Sequence, residues 1–131
     1  HAMGSTAVAW YGTAALVSTA MKDFPKSLAD VPLLLPTAQT AVRIRLDQWF
    51  EQRGVRPRIV GEFEDSALLK TFGASGMGVF PAADWVHDDL LAHYAVQRLG
   101  PCEGVTEHFF AVGTEKKVQH PLVQSLLQPA L

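Results

Sequence analysis

A single cysteine, Cys102, is all the thiol chemistry available, so a disulfide within the chain is excluded. A reduced, cytoplasmic setting is the resulting expectation. Between Pro101 and Glu103, Cys102 reads as an incidental loop residue rather than a nucleophile. Charge is scarce as well. Asp, Glu, Lys and Arg make up 18% of the residues, against about 25% in ordinary globular domains. Such a deficit implies surface that meets another protein segment. A net charge of -2 and the lack of a Lys/Arg-rich helix leave no electrostatic footprint for DNA or an anionic membrane. The apolar run over residues 7–17 is broken by Tyr11, Gly12 and Thr13 and is too short to span a bilayer.

Catalytic signatures are missing too. There is no Gly-x-Ser-x-Gly elbow and no Gly-x-x-x-x-Gly-Lys phosphate loop. The glycines from Gly73 to Gly78 follow a helix and enter a strand, the reverse of a dinucleotide loop. His87, His93, His108 and His120 are scattered, with no pair at metal-ligand spacing. His108, within an apolar strand, is read as structural. Glu62, Glu64 and Asp65 could face a cleft, but the favoured reading is a capped helix start with a solvated neighbour. The expectation is a chain that is not an enzyme and holds no metal or cofactor.

What is present alternates strands with helices. Residues 1–5 read as a tag remnant. Residues 6–11 form a strand and 14–21 a short helix or turn. Leu33-Leu34-Leu35, between Pro32 and Pro36, reads as a brief buried strand. Thr37 then caps a helix to about Arg53, with Val42, Leu46, Trp49 and Phe50 at helical spacing and Gly54 as its stop. Residues 58–63 form another strand. Glu64 or Asp65 caps a second helix whose apolar side is Leu68, Leu69 and Phe72. Residues 77–80 are a strand ended by Pro81, 82–93 a helix or two, and 94–99 a strand. Gly100 to Gly104 is a turn-rich linker, 105–113 a strand and 121–127 a final short helix. The alternation predicts an open α/β sheet.

Four of these pieces, in order, carry a family resemblance. The block Arg58-Ile59-Val60-Gly61-Glu62-Phe63-Glu64-Asp65, with Ser66 to Gly73, resembles the second regulatory subdomain of LysR-type transcriptional regulators. Gly76-Met77-Gly78-Val79-Phe80-Pro81 is similar to that family's strand entering its ligand cleft. Leu33-Leu34-Leu35-Pro36 before a helix ending in Trp49-Phe50, and His108-Phe109-Phe110-Ala111-Val112 before His120-Pro121-Leu122-Val123, complete it. Gly61-Glu62-Phe63-Glu64-Asp65 and His120-Pro121 point to the branch that activates sodium/proton antiporter genes. The resemblance covers roughly residues 6–127.

It implies a periplasmic-binding-protein-like (type II) α/β fold, with an open mixed sheet flanked by helices. By that likeness, 6–100 form the second regulatory subdomain and 101–104 a crossover hinge. Residues 105–131 then give a C-terminal strand and helix belonging to the first subdomain. The strand over 105–112 would lack its parent sheet, which predicts a homo-oligomer through that tail or through the helix face bearing Trp49. DNA would be contacted only through an N-terminal helix-turn-helix absent here, and no membrane is involved. The implied function is effector sensing for transcription; the alternative is a periplasmic-type solute- or amino-acid-binding module. Ligands of open α/β sheets lie beyond the carboxyl ends of the strands. Carried over by position, the effector site is Pro36, Thr37, Ala38, Gln39, Glu64, Asp65, Phe80 and Pro81. Helix N-termini at this rim suit an anion. Glu64 and Asp65 suit a cation or a titrating proton. All three effectors, a small anion, sodium or a proton, stay open.

Overall fold

The computed structural model describes residues 3–110. The expected strand past 110 and the helix over 121–127 lie outside them. Strand β1 (Met3–Gly12) leads into α1 (Ala14–Ala20), a 3-10 turn (Lys26–Ala29) and β2 (Pro32–Pro36). Then come α2 (Ala41–Gln52), β3 (Arg58–Phe63), α3 (Ser66–Ala74) and β4 (Phe80–Ala83). A 3-10 turn (Asp84–Val86), α4 (His87–His93) and β5 (Gln97–Phe110) end the described chain.

β4, β1 and β5 form an antiparallel sheet with β1 central, and β2 and β3 pair in parallel. Val79 ties the two sheets together. It bridges Leu33 in parallel and exchanges backbone hydrogen bonds with β2, Leu34 N–H to Val79 O at 2.8 Å and Val79 N–H to Pro32 O at 2.9 Å. The result is a mixed sheet flanked by helices. The carboxyl ends of β2, β3 and β4 therefore share one rim.

Two apolar clusters flank the sheets. One gathers Trp10, Leu33, Leu35, Leu46, Trp49 and Phe50. The other gathers Tyr11, Leu34, Leu69, Phe80 and Leu90. Leu33, Leu34 and Leu35 are buried on both faces of β2, which is why the strand reads as a continuous apolar run. Trp49 is buried against Trp10 (5.8 Å between ring centroids), so it offers no association surface on α2.

Several sequence expectations change. Thr40, not Thr37, caps α2: its side chain accepts from the Arg43 N–H, and its hydroxyl donates to the Thr37 carbonyl. Thr37 and Thr40 are equally good caps by residue type, and the turn between them places the helix start at the second. β4 begins at Phe80 and runs through Pro81, because β4 is an edge strand and the missing Pro N–H costs no ladder bond. Residues 82–83 finish that strand rather than opening a helix.

Gly100 to Gly104 are strand rather than a turn-rich linker. They lie inside β5, which pairs with β1 from Gln97 to Phe110, with a register shift between Ala7 and Ala9. Gly104, at φ 86, supplies the left-handed conformation of that irregularity. Turn residues thus mark a bulge here, and Cys102 sits buried in a strand, where burial pushes its thiol to about 12. Residues 105–110 do not lack a sheet, since Thr106 pairs with Ala7 and Phe110 with Met3. Met3 and its neighbours, read as a remnant, are part of β1.

Candidate functional site

A cleft of about 510 Å³ opens at the rim where β2, β3 and β4 end. That volume is ordinary for a small-molecule site. Apolar walls come from Val42, Phe63, Leu69 and Trp85, and polar groups from Thr40, Arg45, Ser66, Lys70 and Glu107.

Local sequence explains why these side chains converge. Arg43 ties the floor together: its guanidinium donates to the Pro36 carbonyl (2.8 Å), Glu62 (2.7 Å) and Asp47 (2.9 Å). The carboxyl ends of β2 and β3 and the first half of α2 are thereby held in one place. Asp65 caps α3, its Oδ1 accepting from the N–H groups of Ala67 (2.7 Å) and Leu68 (3.4 Å). From that fixed start, Ser66, Leu69 and Lys70 fall on one face of α3, at three- and four-residue spacing, and line the cleft. The buried face of α3 is Leu69, Lys70 and Gly73; Leu68 and Phe72, expected to face the core, are exposed.

Of the eight residues expected at the site, Pro36, Glu64 and Pro81 line the cleft. Thr37, Ala38 and Gln39 form the turn before α2, with Ala38 and Gln39 exposed. Phe80 is fully buried beside Tyr11 and Gly73. Asp65 is engaged in capping. Replacing Asp65 by alanine is expected to lower stability by about 1 kcal/mol, the usual cost of a lost acidic N-cap. Urea denaturation followed by circular dichroism checks this; an unchanged midpoint would free Asp65 for another role.

Residues that sequence reasoning missed are the more telling ones. Lys70 is only 2% exposed, and burial lowers its ammonium to about 8, against the pull of the carboxylates of Asp89, Glu107 and Asp65. Glu107, on β5, is raised by burial and lowered by the charge of Lys70. A helical Lys four residues after Ser66 was the available signal. His108 lines the same cleft and is exposed. Among the described residues, no group of three or more His, Cys, Asp or Glu side chains is arranged to hold a metal ion. No helix among them is long and apolar enough to cross a membrane.

A second network lies on α4's side of the sheet. Tyr11 donates to Asp84 (3.0 Å) and lies 3.1 Å from His87 Nδ1, while Arg98 donates twice to Asp84 (3.2 and 3.1 Å).

Residues 19–130 match the family described as LysR substrate binding domain. The chain is 36% identical over 105 residues to the transcriptional activator protein NhaR of Escherichia coli (strain K12), a stretch covering 80% of this chain and 35% of that protein. The chain therefore spans about a third of that relative's length. In structure it is similar to the effector binding domain of QuiR in complex with shikimate (TM-score 0.59, 14% identity, 97% of this chain and 60% of that one). The cofactor-binding domain of the Cbl transcriptional regulator is similar too (TM-score 0.60, 19% identity, 97% and 56%).

Proposed function

Because this chain belongs to the LysR substrate-binding-domain family, we propose that it senses a small acidic effector on behalf of a cytoplasmic transcriptional activator. One observation carries the choice of effector: the cleft at the strand ends has a buried lysine in its wall, Lys70. An ammonium removed from water favours an anion beside it. Ser66 and Thr40 add hydroxyls, and α2 and α3 begin at the rim, where the positive ends of the helix dipoles favour negative charge. Two carboxylates share that lining, Glu64, which is exposed, and Glu107, whose charge burial opposes. The cation reading rested on Glu64 and Asp65 together, and the Asp65 Oδ1 is occupied by two backbone N–H groups.

Similarity to a domain solved with shikimate, a carboxylate, supports an acid as ligand. Identity to NhaR, an activator, supports transcription as the output, with antiporter genes as the targets that the sequence resemblance suggests. We assign DNA contact to parts of such a regulator that this chain does not span, and homo-oligomer formation to the assembled regulator. The segment 105–131 is taken as the return to the first subdomain, with 101–104 at the crossover.

Trp85, 41% exposed in the cleft wall, gives the test. Titrating the chain with shikimate, benzoate or sodium chloride (potassium chloride as control), while following tryptophan emission, should give saturation by an acid at roughly millimolar concentration. Saturation specific to sodium, with no response to either acid, would overturn the anion reading.

A further inference from the structure

We propose that Lys70 and Glu107 form a charge pair that an anionic effector breaks, so that Lys70 selects acids and Glu107 passes occupancy to strand β5. This rests on the reading of the cleft as an effector site, and it adds how occupancy would leave that site.

The two groups come from distant elements, α3 and β5, and line the same 510 Å³ cleft. Each alters the other's charge: Glu107 draws Lys70 towards its protonated form, and Lys70 draws Glu107 towards its ionised form. Burial opposes both charges, so each depends on its neighbours to stay ionised. Asp65 and Asp89 also act on Lys70, and Arg45, Glu64 and His108 line the cleft around the pair. Lys70 thus keeps carboxylate company when Glu107 changes. For Glu107, Lys70 is the cation that sets its charge.

A carboxylate entering beside Lys70 takes over as the ammonium's partner. The entering carboxylate joins those of Asp89, Glu107 and Asp65 around one cation, and Glu107, whose charge burial already opposes, is the costly one to keep ionised. Glu107 responds by taking a proton from water or by turning out of the cleft. Glu107 sits opposite Thr6 in the long pairing of β5 with β1. Its response therefore falls on the strand pair that crosses the described fold. A neutral ligand of the same shape offers Lys70 nothing and leaves Glu107 ionised.

Proton uptake by Glu107 makes acid binding pH-dependent. Affinity should rise as pH falls, by at most about tenfold per unit for one linked proton. The whole 131-residue chain is titrated with benzoate, with benzamide as the neutral probe, at about pH 5 to 6.5, more than a unit below the value of about 8 to which burial lowers Lys70. Binding is read from Trp85 emission and from the NMR signal of 13C-labelled lysine.

In the parent chain, benzoate should bind more tightly at the lower pH and benzamide should not bind measurably. Glu107→Gln should bind benzoate about tenfold more tightly at the higher pH and lose the pH dependence. Lys70→Met should weaken benzoate at least tenfold, and Lys70→Arg should restore part of the loss. Circular dichroism on each variant separates lost binding from lost folding. Benzoate binding that is equal in Lys70→Met, or whose pH dependence survives in Glu107→Gln, would overturn the exchange while leaving the cleft an acid site. No response to benzoate in either the parent chain or Glu107→Gln would overturn the acid site and the exchange together.

Discussion

Truncating Trp10 to alanine should lower the free energy of unfolding by about 3–5 kcal/mol, the range for removing a large aromatic side chain from a packed core. Trp10 is fully buried on the central strand β1. Its ring contacts Trp49 and Phe50, at 5.8 and 5.5 Å between centroids, and so joins β1 to α2 across one core cluster. Neighbours on two sheets and a helix cannot close on the cavity together, which puts the cost in the upper range for a core deletion. Equilibrium urea unfolding followed by far-ultraviolet circular dichroism measures it. A loss under about 1 kcal/mol would mean that the cluster repacks and that β1 is not the keystone of this core.

Gly73→Ala should also destabilise, by about 3 kcal/mol, although alanine is the better helix former. A Cβ built on Gly73 meets Phe80 Cδ1 at 2.2 Å and Cε1 at 2.4 Å. Phe80 is fully buried and stacked near Tyr11 (6.2 Å), so its ring has nowhere to retreat. Alanine's helix advantage of about 1 kcal/mol is too small to offset an overlap of that depth. The Phe80→Leu background provides the control: there the Gly73→Ala penalty should shrink by at least about 1 kcal/mol, a coupling that only contacting residues give. If the two changes add independently, the α3–β4 contact is not what fixes Gly73.

Both residues illustrate how far the sequence alone can be read. Gly73 announced itself as a break near the end of α3, but the reason for it is Phe80, seven residues on and across a turn. Likewise β2 and β3 were legible because local signals agree: apolar runs bounded by proline, and Asp65 capping the helix after β3. β5 was legible only in its two ends, the strands expected over 94–99 and from 105 on; their continuity was not, because Gly100, Pro101 and Gly104 carry turn chemistry, and only the long pairing with β1 makes them strand. That pairing joins residues about a hundred positions apart, beyond any periodicity.

The site divides the same way. Strand-end reasoning reached the cleft through Pro36, Glu64 and Pro81. It missed Lys70, whose type and position suit a solvated helix face. Its burial is imposed by packing from elements that no local window contains. It offered Asp65 both as a cap and as a site residue, because a carboxylate free to bind and one committed to a cap look alike in sequence.

The placement of the three tryptophans has an optical consequence. Trp10 and Trp49 share one buried cluster, while Trp85 stands in the cleft wall, partly open to solvent. The chain thus carries two separate chromophore populations. A water-borne quencher such as iodide should silence the cleft indole first and leave the paired indoles lit until the core opens. Ligand occupancy and global unfolding can then be followed on one unlabelled sample as two colours of emission: the exposed indole emits to the red and the enclosed pair to the blue.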